Sequence, residues 1–102
     1  MDGIHEGHRA RMKKKLLENG ERSLADHELL EVLLYYAIPR RDTNELAHRL
    51  LEQFGSLRGV LSAPVQELAC VSGVGQQAAL LMGMVPMLCR RAAQREKEQI
   101  LN

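Results

Sequence analysis

The residues whose types and spacing carry the clearest chemistry are Val71-Ser72-Gly73-Val74-Gly75. Two glycines flank an aliphatic residue, so the backbone can take positive φ twice and a foreign group can approach it closely. A helix opening at Gln76 would add unpaired N–H groups and a dipole that favour an anion. The pattern predicts a phosphate resting on the amides of Gly73, Gly75, Gln77 and Ala78. Val74 is expected to plug the turn into the core, and Ala79 is small enough for two helices to cross closely. Backbone amides meet phosphates and not base edges, so such binding would be largely independent of sequence. The competing reading is a tight inter-helix turn that packs and binds nothing.

A shift of 32 residues lays Leu46-Ala47 on Ala78-Ala79, Leu50 on Met82, and Arg41-Asp42-Thr43 on Gly73-Val74-Gly75. The first half therefore reads as a degenerate copy of the second, with the basic turn Pro39-Arg40-Arg41-Asp42 in place of glycines. The expectation is a tandem helix-hairpin-helix domain, first hairpin at 38–43 and second at 71–75, presenting both to the strands of a duplex. Arg40 and Arg41 would supply charge beside the first hairpin. A basic face of Arg9, Arg11, Lys13, Lys14 and Lys15 either tracks a phosphate backbone, with Arg9 and Lys13 as contacts, or is simply solvated.

Other chemistry is sparse. His5 and His8 are one residue short of the His-Glu-x-x-His zinc spacing and read as solvent-exposed, while His27 and His48 read as single polar-face residues. No nucleophile–base set, phosphate-binding loop or nucleotide fingerprint stands in the chain, so no enzyme and no cofactor are expected. Cys70 and Cys89 lie on apolar helical stretches and read as buried free thiols, which implies a reducing cytoplasm. A net charge of +1 over 102 residues means that anion binding must come from local clusters or backbone dipoles. The N-terminus has no apolar signal region and no run is long enough to span a membrane.

These groups must be positioned by helices. Hydrophobic residues make up 45% of the chain and aromatics 3%, so a core of Leu, Val, Ala and Met is expected, without strand-like alternation. A basic helix over about 7–19 carries Met12, Leu16 and Leu17 on its apolar stripe. The next, opened by a capping box at Ser23 and ended by Pro39, is apolar from Leu29 to Tyr36 and must be central. Asp42 caps a third, closed by Gly55; short helices follow Ser56 and Pro64. The last helix, from Gln76, is interrupted by Pro86, where a kink is expected. The fold class is all-α, five to six helices. Residues 1–89 form the domain, and 90–102 a charged helical tail or linker toward a domain absent from this chain.

Several stretches together resemble one family. They are His5-Glu6-Gly7-His8-Arg9, Asp26-His27-Glu28-Leu29-Leu30-Glu31, Tyr36-Ala37-Ile38-Pro39-Arg40-Arg41-Asp42-Thr43-Asn44, Leu46-Ala47-His48-Arg49-Leu50-Leu51, Phe54-Gly55-Ser56-Leu57 and the glycine turn. The chain is similar over its whole length to the N-terminal domain of the RadC-like ("DNA repair protein RadC") family of bacterial proteins. The resemblance implies a helix-hairpin-helix module that precedes a C-terminal JAB/MPN-type domain with a zinc signature. No His-x-His followed by a distant Asp occurs after Gly75, so that metal site is not carried over. Related hairpins often hold a monovalent cation on backbone carbonyls, by position those of Ala69, Val71 and Val74. Gln76 and Gln77 stand where a Lys or Arg commonly assists the phosphate. The expected function is non-sequence-specific DNA binding. The alternative is a protein-interaction or dimerisation domain using the Met82, Met84 and Met87 helix.

Overall fold

Apolar residues at helical spacing become six α-helices in the structure, a computed structural model that describes residues 2–101, with side-chain surroundings over residues 6–100. They are α1 (Asp2–Asn19), α2 (Asp26–Tyr35), α3 (Thr43–Phe54), α4 (Leu57–Ser62), α5 (Val65–Ala69) and α6 (Gly75–Leu101), with a 3₁₀ turn over Glu21–Ser23. No strand occurs among the described residues, so the fold is all-α.

Helix α2 is the partition of the molecule. Its Leu30 and Leu34 enter the main core with Leu46, Leu50, Val60, Leu68, Val74 and Met82. Val32 and Tyr35 face the other way, into a smaller cluster with Met12 and Leu24. The central helix expected from its all-round hydrophobicity is therefore observed, and each of its fully buried Leu side chains contributes about 2 kcal/mol of transfer free energy. Tyr36 departs from that expectation, being 70% exposed. Leu17 departs too, at 86% exposed, because the apolar contact of α1 with the body runs through Met12 and Leu16.

The helix ends follow local chemistry, with two corrections, both at α2. Ser23 does not cap α2; its hydroxyl donates to the Gly20 carbonyl at 2.7 Å. Ala25 takes the cap position, and its amide donates to Glu28 Oε1 at 2.9 Å, which holds the Glu28 carboxyl below the usual carboxylate range. Asp42 caps α3 as expected, accepting from the Asn44 amide at 3.0 Å, and Ser56 caps α4 by accepting from Gly59 at 2.9 Å. Helix α2 stops at Tyr35, well before Pro39; the Ala37 and Ile38 amides still reach the Leu34 carbonyl, so the chain leaves the helix as a turn.

The internal repeat has a structural counterpart. Helices α3 and α6 begin at Thr43 and Gly75, offset by the same 32 residues, and Leu46, Ala47 and Leu50 are buried as Ala78, Ala79 and Met82 are. Helix α2 packs on α3 as α5 packs on α6. The second pair crosses very closely: a Cβ on Gly83 would come 2.6 Å from Val65 Cγ2. Helix α6 continues through Pro86, and its residues from Met87 to Ile100 are exposed. Both cysteines are free and exposed, which corrects the buried-thiol expectation: Cys70 ends the short α5 at the surface, and Cys89 lies past the packed part of α6. No helix is long and apolar enough to cross a membrane among the residues described.

Candidate nucleic-acid interface

The glycine turn closes as its sequence requires. Val71 donates to the Leu68 carbonyl at 3.1 Å and Val74 donates to the Val71 carbonyl at 3.1 Å. Gly73 and Gly75 sit at φ 91° and 73°, backbone that L side chains rarely adopt. Val74 is 4% exposed and plugs the core as expected. With Gly75 as the first helical residue, the orphan amides at the start of α6 are those of Gly75, Gln76 and Gln77. Ala78, expected among the phosphate contacts, is buried in the core instead, because the helix begins one residue earlier than the sequence suggests. Of the carbonyls considered for a cation, those of Ala69, Val71 and Val74, that of Val71 is the acceptor that closes the turn.

The first connection, from Ala37 to Asp42, is built differently. Ile38 anchors it in the core, while Pro39, Arg40, Arg41 and Asp42 are exposed. Its backbone is held from beneath by Arg9. That guanidinium donates from Nη2 to the Arg41 carbonyl at 2.9 Å and from Nη1 to the Tyr35 carbonyl at 3.4 Å, and it lies 4.5 Å from the Tyr35 ring centroid. Arg9 was expected on a solvent-facing basic surface, and this burial corrects it: three internal partners compensate the cation, leaving it a strut of the first turn. Lys13, one turn further along α1, places its Nζ 5.0 Å from the Tyr36 ring centroid.

The two turns meet. Ala37, Ile38, Pro39, Arg40, Arg41, Gly73, Val74 and Gly75 line one open groove of about 550 Å³. Arg41 and Arg49 flank Gly73: a Cβ there would lie 3.5 Å from Arg41 Nη1 and 3.4 Å from Arg49 Nη2. Arg49 also donates from Nη2 to the Ser72 carbonyl at 2.9 Å, spanning from α3 to the glycine turn. The charge that Gln76 and Gln77 do not provide thus arrives from another helix. Sequence reasoning passed over Arg49, whose only signal was a polar position between the buried pairs of α3. Gln77, exposed, lines a neighbouring groove with Tyr36, Ala37, Leu80, Leu81 and Met84.

Beneath the first turn lies a polar cluster that the sequence did not reveal. Glu31 is 2% exposed and accepts from Tyr35 Oη at 2.8 Å and Asn44 Nδ2 at 3.0 Å; His8 Nε2 lies 3.0 Å from it. The carboxylate ties α1, α2 and the start of α3 together. Burial, with the Glu31 hydrogen bond second, pushes the Tyr35 phenol above its ordinary value. The signal was present: an acidic residue inside the run Leu29-Leu30-Glu31-Val32-Leu33 must be satisfied internally. His8 accordingly turns its Nε2 to Glu31 while its side chain stays 45% exposed, and the His5 side chain lies outside those described. His27 and His48, read as single residues, stack on each other with centroids 4.1 Å apart.

A family model described as UPF0758 N-terminal matches residues 5–80. Among curated proteins, UPF0758 protein SPO0054 of Ruegeria pomeroyi is 46% identical over 69 residues, covering 68% of this chain and 31% of that protein. UPF0758 protein FN0909 of Fusobacterium nucleatum is 35% identical over 99 residues, covering 94% of this chain and 43% of that protein. The chain therefore spans less than half the length of these relatives. No solved structure matches it.

Proposed function

The chain belongs to the UPF0758 N-terminal family, and from that premise we propose that it is a DNA-binding module that grips phosphates without reading base sequence. The observation that carries this reading is the shared groove: two turns 32 residues apart in sequence line one cavity, with Arg41 and Arg49 beside Gly73. The turn amides supply directional donors, and the arginines supply the charge and fork geometry that suit a phosphate. In this reading the two turns act as a tandem helix-hairpin-helix, in keeping with the RadC-like resemblance. The module itself performs no catalysis and brings an attached JAB/MPN-type domain to DNA.

Fluorescence anisotropy with duplex, single-stranded and branched DNA tests the proposal. Expected dissociation constants are on the order of 10⁻⁴ to 10⁻⁶ M, rising steeply with salt. Replacing Arg41 and Arg49 together by Ala should lower the slope of log affinity against log salt by about two, with helicity unchanged by circular dichroism. Absence of binding to all three DNA forms at about 50 mM salt would sink the reading.

A second reading rests on its own observation. Leu80, Met84, Met87 and Leu88 are 40–62% exposed along one face of α6. A protein-interaction or dimerisation surface would use such a face. Light scattering that shows a dimer, lost on Met87→Glu, would favour it; a monomer at all concentrations would count against it.

A further inference from the structure

Tyr36 is the residue that the fold leaves unexplained. It is 70% exposed, whereas Tyr35 beside it is 6% exposed and the lone phenylalanine, Phe54, is half-buried against the core. Its position at the end of α2, with its amide donating to the Leu33 carbonyl, is fixed by backbone geometry that any residue could supply. An aromatic ring held in water therefore needs another reason.

Its surroundings supply one. The Lys13 ammonium stands 5.0 Å from the ring centroid, which steadies the ring and places a cation beside it. The ring borders a cavity of about 280 Å³ with Ala37, Gln77, Leu80, Leu81 and Met84 as the other walls. Ala37 is also a wall of the arginine-rimmed groove, so the two depressions adjoin. A polyanion lying past Arg41 and Arg49 passes directly by an apolar recess with an aromatic wall, a cation and the amide of Gln77.

We propose that Tyr36 is a stacking platform for an unpaired nucleobase, so that the strand held in the arginine-rimmed groove is single-stranded DNA. The inference rests on the phosphate-binding reading above and adds the substrate class. The physical reason is access. A base inside a duplex already stacks on both neighbours and is withheld from the ring, whereas a base in a single strand turns freely onto it. Stacking of this kind tolerates any base, in keeping with a site that otherwise meets only phosphates.

Anisotropy titrations of a labelled oligo-dT and a duplex of equal length test this with the wild type, Tyr36→Ala, Tyr36→Phe and the Arg41→Ala/Arg49→Ala pair. Tyr36→Ala should weaken oligo-dT binding about tenfold and leave the duplex affinity unchanged, while Tyr36→Phe, which keeps the ring, should bind oligo-dT like the wild type. The arginine pair should weaken both ligands. If the arginine pair weakens both and Tyr36→Ala changes neither, or changes both equally, the stacking platform is overturned and the phosphate site stands. If the wild type binds neither ligand, the stacking platform is overturned, and with no binding to branched DNA the phosphate reading falls too. If Tyr36→Ala alters oligomeric state by light scattering and not oligo-dT affinity, the recess belongs to a protein contact and the proposal is overturned.

Discussion

The two turns that line the groove begin equivalent helices, yet they are held by opposite means. The second is held by shape: Val71 and Val74 are buried, and two glycines at positive φ let four residues connect α5's cap at Cys70 to Gly75. The first has six residues between Tyr36 and Thr43 and needs no glycine. Its longer path is fastened by polar struts, Arg9 to the Arg41 carbonyl and Glu31 to Asn44. A tight turn is specified by its own residues, whereas a longer one borrows its rigidity from elements distant in sequence. The difference also divides the chemistry, with bare amides at the second turn and side-chain charge at the first and at Arg49.

Removing the hub of the first turn should have the largest effect. Glu31→Ala leaves Tyr35 Oη, Asn44 and His8 without their shared acceptor, and urea denaturation should show a loss of about 3 kcal/mol. The matching change at the second turn, Val74→Ala, deletes buried methyls without orphaning a polar group and should cost about 2 kcal/mol in the same assay. Equal effects would remove the contrast between polar and apolar fastening.

Smaller changes sharpen it. Gly73→Ala forces a side chain into left-handed backbone and should cost about 1 kcal/mol, its methyl meeting Arg41 and Arg49 at ordinary contact distance. Asp42→Ala removes the α3 cap and should also cost about 1 kcal/mol, with the second turn's amide exchange unaffected. The smallest expected effect is on pH dependence. The Tyr35 phenol titrates above its ordinary value of 10.0 in the folded state. Its stabilising contribution is complete below that value and declines as pH rises above it. Alkaline hydrogen exchange should therefore loosen the first turn before the second; simultaneous loosening would break the assignment of Tyr35 to the first turn alone.

Much of the fold was legible because its causes are local. The apolar spacing of α3, the Asp42 and Ser56 caps, the glycine turn and the two-sided burial of α2 depend on residues within one or two turns of one another. The offset between the two halves was readable for the same reason, since helix starts and buried triplets repeat at one interval. Errors fell where a residue's local pattern was silent about its partner. Arg9 looked like one more surface cation on α1, and His27 and His48 each looked solitary. Tyr36 looked like the tail of a buried run, although α2 ends before it.

The opening constellation, Val71 to Gly75, was determined by sequence alone in its backbone: two glycines, one plugged valine and a helix start follow from residue type. Tertiary structure alone decided what surrounds it. Docking α2–α3 against α5–α6 brings Pro39, Arg40 and Arg41 alongside Gly73 and carries Arg49 to the Ser72 carbonyl, 23 residues away in sequence. Periodicity states which face of a helix is buried, but not which cation on the other face will meet a distant turn. That meeting depends on how the two helix pairs pack on each other, through a shared core in which Leu34, Leu46 and Leu50 of the first pair join Leu68, Ala79 and Met82 of the second.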